Sequence, residues 1–311
     1  MQLILTLFLS IVFFGCTEPS TPKQLYHSLN CKESIYSLKS AECINHEEFI
    51  ETLESYKVIF IGDHHSSKKH HENVADIIYS LSKKGYRIHL ANEWFTPEDN
   101  NILDKYANGS LNDEEFTKKI NWKTRKYFQF DLFSPIYHAV IDTKGKLYGI
   151  NLSKKQRKLI STVNTTGMNR NEKIFFNTLD VDVLVHKTFL SPFFSHCHKA
   201  KNGESNQECI NRMYSVQVAW DTKMAKESAK LANDVLRTNR DKLIVFAGEM
   251  HLINNIGVNL RFARESKIPF VTLLPQRKEY SNILHGKADF VYIYKQYEEA
   301  SKIEAKLIQG I

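Results

Sequence analysis

Val58-Ile59-Phe60-Ile61-Gly62-Asp63-His64-His65 is the stretch that decides the fold. Four apolar residues, most of them β-branched, read as a short strand buried on both faces. A glycine ends the run, and an acid and two histidines follow at once. Over residues 68–82 apolar side chains return at helical spacing, as Val74, Ile77, Ile78 and Leu81. The order is therefore strand, polar turn, helix. Ligands of open α/β sheets bind outside the carboxyl ends of the strands. Asp63, His64 and His65 are expected at such an edge.

Working outward, residues 87–92 make a second strand that delivers Glu93-Trp94-Phe95 to the same edge. Thr96-Pro97-Glu98 opens a helix with a capping hydroxyl, a first-turn proline and an acid at the positive end of the dipole. Short helices are expected up to Tyr106, over 112–120 and over 134–141, then a strand at 147–150 and a helix from 154. From about 175 to 212 the periodicity is poor. Phe189, Phe193 and Phe194 gather there among His186, His196 and His198, which reads as a covering insertion. A long helix is expected over 213–236. The strand at 243–247 ends in Gly248-Glu249-Met250-His251, a second glycine-to-histidine turn. Residues 270–274 make a further strand and 289–295 a last edge strand. Strands alternating with helices imply a three-layer α/β fold: a mostly parallel sheet, helices on both faces, and the insertion as a helical cap. The α/β domain is placed at 57–311, with 16–56 as a tether and a flanking segment across its outside.

The chain has 311 residues, with 42 Lys and Arg against 35 Asp and Glu, a formal net charge of +7. The basic residues are scattered among acids and form no stripe, so nucleic acid is not an expected partner. Residues 1–15 are almost wholly apolar and carry no charge, fall short of the ~20 residues that span a bilayer as a helix, and read as an export signal. Gly15-Cys16 and the polar run after it resemble a bacterial lipoprotein signal, with Phe13 where leucine is usual. The expectation is acylation of Cys16 and anchoring to the membrane; Thr17 in place of aspartate suggests, by analogy, the outer membrane. Setting Cys16 aside leaves Cys31 with Cys43, and Cys197 with Cys209, at equal separations. In an oxidising compartment two local disulfides are the natural reading, although four cysteines admit three connectivities. His196-Cys197-His198 reads as a disulfide cysteine between surface histidines.

His65, Glu93 and His251 come from separate strands and could converge on a divalent metal, with Glu249 as a base; that would be a hydrolase of peptidase or esterase type. A wider ordered set points elsewhere. Gly62-Asp63-His64-His65 with His70-His71, Glu93, Phe133-Ser134-Pro135-Ile136, Gly149-Ile150-Asn151, Gln217 with Trp220-Asp221 and Met224-Ala225, and Gly248-Glu249-Met250-His251 run from 58 to 274. This set resembles the ChaN-like haem-binding lipoproteins, a branch of a superfamily that also holds erythromycin esterases and membrane-associated metalloproteases. Asp63 stands where that family has glutamate. The resemblance implies a tethered domain that binds haem and takes part in haem and iron acquisition with uptake machinery, rather than an enzyme. Haem needs an apolar slot, an axial ligand and cations for its propionates. Under this reading Tyr137, one helical turn after Phe133, is the axial ligand, with Tyr127 and Tyr214 as alternatives. His138 would complete the slot, His64 and Lys68 (with Lys69) would face the propionates, and His65, Glu93 and His251 would line the site. A flat haem face left uncovered by one subunit implies a homodimer with haem at its interface.

Overall fold

Among the described residues ten strands follow one another: β1 (Tyr26–Ser28), β2 (Ile35–Ser37), β3 (Glu42–Ile44), β4 (Val58–Asp63), β5 (Arg87–Asn92), β6 (Leu147–Gly149), β7 (Asp241–Gly248), β8 (Phe270–Arg277), β9 (Asn282–Leu284) and β10 (Phe290–Tyr294). The computed structural model describes residues 26–28, 31, 34–125, 128–162, 166–194, 197, 203–278, 282–284 and 286–294. Eight strands form one sheet in the order β3-β2-β10-β8-β4-β7-β5-β6, and β1 pairs separately with β9. From β10 to β6 every neighbouring pair is parallel. β2 and β3 close one side as an antiparallel hairpin.

β4 and β7 are buried at every position because both faces of the sheet are covered. Ile59 and Ile61 point into one core with Val74, Ile77, Ile78 and Phe133; Val58 and Phe60 point into the other with Met224, Ala225 and Phe262. Helices His46–Glu54, Lys68–Lys83, Asn100–Ala107 and Ser134–Asp142 contribute to the first core, and Asn206–Val235 and Val258–Glu265 to the second. The sheet is therefore the middle of three layers, as the alternation of strands and helices predicts.

Three expectations shift. Gly62 does not end the strand; β4 continues to Asp63, and a Cβ at Gly62 would stand 2.5 Å from Leu274 Cδ2. The strand near 289–295 is not an edge, because β2 pairs outside it. The segment read as an outer flank thus supplies part of the sheet, and its helix buries Phe49, Ile50 and Leu53. Lys242 fastens that helix to β7: its buried amine donates to the carbonyls of Leu53, Glu54 and Tyr56 at 2.9, 2.9 and 2.6 Å. The domain accordingly starts well before residue 57.

The helix expected from 154 is Lys154–Ser161; the insertion expected at about 175–212 overlaps Arg170–Asn177 and holds the cap helix Leu184–Phe194, while its last part, from Asn206, belongs to the long helix. The long helix begins at Asn206, where Ser205 and Glu208 form a capping box. Cys31 pairs with Cys43 and Cys197 with Cys209, the two local disulfides. Residues 1–25, which include Cys16, and His196 and His198 lie outside the described residues.

Candidate functional site

β4, β5 and β7 lie side by side with β7 in the middle, so the polar residues that follow them meet at one edge. After β4 the chain turns through His64 to Ser67, whose hydroxyl caps the helix Lys68–Lys83 by accepting from His70 N. The two buried histidines in that first turn are fasteners. His70 donates from Nε2 to the Gly62 carbonyl at 2.8 Å, and burial pushes its pKa down to about 3, so the ring stays neutral. His71 donates from Nδ1 to the Leu132 carbonyl at 2.6 Å and from Nε2 to Asp63 Oδ1 at 2.7 Å.

Asp63 is the hub of this half. Its Oδ2 accepts from His65 Nδ1 at 2.7 Å and from Trp94 Nε1 at 3.3 Å. Burial alone would raise the pKa of this carboxyl, but the charges and hydrogen bonds of His71 and His65 outweigh it and hold the group well below 3.8. The other half mirrors the arrangement. Asp221, fully buried on the helix Asn206–Val235, accepts from His251 Nδ1 at 2.5 Å, and the Gln217 amide stands 2.9 Å from the same nitrogen.

Between the halves sits Glu93. Gly248 N donates to its Oε2 at 2.8 Å. His65 Nε2 is 3.8 Å from Oε1 and His251 Nε2 is 3.8 Å from Oε2. Each imidazole gives its Nδ1 proton to a buried acid, which turns its Nε2 toward Glu93 and fixes both tautomer and ring direction. Gly248 allows the close approach: a Cβ there would stand 3.2 Å from His65 Cε1.

Aromatic rings form one wall. Trp94 lies 4.6 Å from His65 and 5.9 Å from Phe128, and Phe133 packs 4.8 Å behind Trp94. On the other side His64 enters a separate polar group. It accepts from the Tyr294 hydroxyl at 2.5 Å and faces Glu249 at 3.0 Å, which is itself 3.7 Å from Lys287.

The expected residues divide accordingly. His65, Glu93 and His251 come together; His64 is diverted into the neighbouring group; Lys68 is exposed on the first turn of its helix. Tyr137 is corrected. It is 0 % exposed, its hydroxyl accepts from Asn92 at 3.0 Å, and burial pushes its pKa well above 10.0, so it is neither open to an iron nor ready to ionise. Tyr214 is also buried, with its pKa pushed up to about 12. Tyr127 lies outside the described residues. His138 turns to Asp113 at 3.0 Å instead of completing a slot. Sequence reasoning left Asp63, Gln217, Asp221 and Trp94 without roles, although Gln217 and Asp221 are four apart and so share a helix face. Among the described residues no group of three or more histidine, cysteine or acidic side chains is placed to hold a metal ion.

The coupled pair Asp221–His251 sets a pH dependence. Burial would lower the pKa of His251; the hydrogen bond and charge of Asp221, with Glu93, outweigh it and raise the value above 6.5. The pair's contribution is therefore fully present below the unfolded histidine value of ~6.5 and lost as pH rises through the raised folded value. Asp221 is lowered from 3.8 despite its burial, by His186, His251 and Arg261, so its contribution is lost only as pH falls through that lowered value. Thermal stability should decline above pH ~6.5 by up to about 1.4 kcal/mol per pH unit for this proton. In Asp221→Asn that decline should flatten; an unchanged slope would refute the assignment.

Comparison with known proteins bears on the fold and the family. No curated protein sequence matches the chain. Among solved structures, the haem-bound ChaN of Campylobacter jejuni aligns with a TM-score of 0.62 at 23% identity, over 85% of this chain and 99% of that one. The type III effector HopBA1 (TM-score 0.46, 13% identity, 80% of this chain and 92% of that one) and an erythromycin esterase, EreC, in its open conformation (0.43, 12%, 78% and 77%) align more weakly. Residues 49–262 match the family described as haem-binding uptake, Tiki superfamily, ChaN. With that match across β4 to β7 and the whole Glu93 site, the chain belongs to the ChaN haem-binding uptake family.

Proposed function

We propose that this protein is a membrane-anchored lipoprotein that binds haem at the sheet edge beside Glu93 and takes part in haem and iron acquisition. The observation that carries the reading is family membership over residues 49–262, a span that contains every residue of the site from Asp63 to His251. Haem presents a flat apolar face, a ferric iron that takes an axial ligand, and two carboxylates. The described residues fit such a group. Partly exposed Trp94 and Phe128 offer an aromatic wall, His65 is 35% exposed beside them, and Lys68 stands exposed for a propionate. Bound haem supplies the ferric iron that is carried; His65, Glu93 and His251 line the floor against which it is oriented.

Tyr137 and Tyr214 are buried, which speaks against them, and Tyr127, the remaining candidate from the sequence and outside the described residues, is the tyrosine we take as the one that would ligate the iron. Acylated Cys16 is the anchor in this reading, in the outer membrane, with haem-uptake machinery as partner. A homodimer covers the remaining face of the haem. Titrating the detergent-solubilised full chain with hemin tests the reading. The wild type and Tyr137→Phe should give a saturable Soret shift, and Tyr127→Phe should bind about ten-fold more weakly or worse. No shift in the wild type would sink the function; unchanged binding by Tyr127→Phe would sink only that ligand. Sedimentation with and without hemin reads the dimer.

One observation favours a hydrolase as second reading: the two histidines carry buried carboxylates behind them and present Nε2 to a third acid, the outer-shell pattern of metal sites. Metal analysis of the purified protein beside His251→Ala decides it. An equal metal content in the two would remove this reading.

A further inference from the structure

The insertion reaches the site through a residue that the proposed function does not use. His186 lies on the cap helix Leu184–Phe194 and is 1% exposed, while Leu184, Val185 and Phe193 of the same helix are exposed. Its Nδ1 stands 3.2 Å from the Tyr214 hydroxyl, which also reaches the Val183 carbonyl at 3.4 Å. Its Nε2 stands 3.1 Å from Asp221 Oδ2, close but off the line of a well-directed hydrogen bond. The other oxygen of Asp221 is the one that holds His251. Arg261 approaches Asp221 Oδ2 only to 3.8 Å, because its Nη1 is engaged by the carbonyls of Ile256 and Gly257. A second tie runs beside the first: Met250 packs into the cluster of Leu190, Tyr214 and Val218 with Phe189 and Phe194 of the cap.

We propose that His186 is a positioning residue that couples the cap helix to the sheet-edge site, by holding Asp221 and, through Asp221, the ring of His251. The coupling is geometric. Asp221 is buried, with Gln217 and His251 on its Oδ1 and His186 of the cap nearest its Oδ2, so displacement of the cap takes away the closest contact of that second oxygen and loosens the carboxylate that orients His251. The chain separation explains why such a link exists: His186 belongs to the insertion between β6 and β7, whereas His251 belongs to the turn after β7.

The test uses the ligand-free full chain in detergent and does not depend on haem. The His251 Nδ1 proton in its short bond to Asp221 should give a proton resonance downfield of the amide envelope, assigned by its loss in His251→Gln. His186→Ala should move or broaden that resonance, and His186→Gln, which keeps a donor, should restore it in part. Leu190→Ala removes apolar packing on the same helix while leaving His186 beside Asp221; it should lower Tm and leave the resonance in place. If His186→Ala does not fold, His186→Asn serves in its stead. A resonance unmoved by either variant, or absent from the wild type, overturns the coupling. A second readout rests on the haem reading: hemin binding should weaken about ten-fold in His186→Ala relative to Leu190→Ala. Failure of every variant to bind hemin would count against that reading and leave the resonance to decide the coupling.

Discussion

Asp63→Ala should destabilise the protein by about 3–5 kcal/mol, the range for removing one partner from a buried charged network, and abolish ligand binding with it. Asp63 is 3% exposed and meets two imidazoles and an indole N–H. Without it, His71 keeps its bond to Leu132 but leaves a buried nitrogen with no acceptor. His65, partly exposed, loses what fixes its ring, so its share of the loss falls on the site more than on stability. Asp63→Asn should be nearly as harmful, because an amide nitrogen would face one of two groups that now donate. A fall in Tm on the order of 10 °C is expected, read by circular dichroism with hemin binding measured on the same samples. A Tm within about 2 °C of the wild type would show that the network is not what holds this turn.

Gly257→Ala is the second large effect, and it works through backbone alone. A Cβ at Gly257 would stand 2.0 Å from the His251 carbonyl oxygen and 2.7 Å from its carbon. Neither atom is the end of a flexible side chain, so the turn itself must open. That turn is already demanding: Asn254 and Asn255 have φ of 57° and 55°, a region where asparagine is among the few tolerated residues. We expect a loss of about 3 kcal/mol, toward the upper end for a single substitution, together with displacement of His251. Chemical denaturation measures the first. Loss of the downfield His251 proton measures the second. A wild-type midpoint would mean that the segment relaxes without strain.

The parallel strands and both glycine-to-histidine turns were legible because strands covered on both faces are continuous apolar runs, and β4 and β7 have that form. β2 and β3 were not legible. Each has three residues, and β3 is mostly exposed, so neither carries a pattern long enough to read. Tyr137 shows a different limit. Its spacing from Phe133 correctly puts both on one helix face, but both are 0 % exposed: spacing gives the direction of a side chain, not its depth. Asp221 was visible as part of a motif, yet its role depends on His251 lying across the helix from it, thirty residues later in the chain. That is a tertiary fact.

The strand order carries a consequence for biogenesis. β4 and β5 do not touch; β7 occupies the place between them, pairing with Ile59 of one and Leu90 of the other through Ile244. A growing chain that has not yet supplied residues 241–248 therefore has a gap at the middle of its sheet, and two unpaired strand edges facing it. Closing that gap brings together segments more than 150 residues apart, a high-contact-order step that belongs late in folding. Glu93 meets Gly248 only at that step. Ligand capture at this edge is thus deferred until residues 241–248 have joined the sheet.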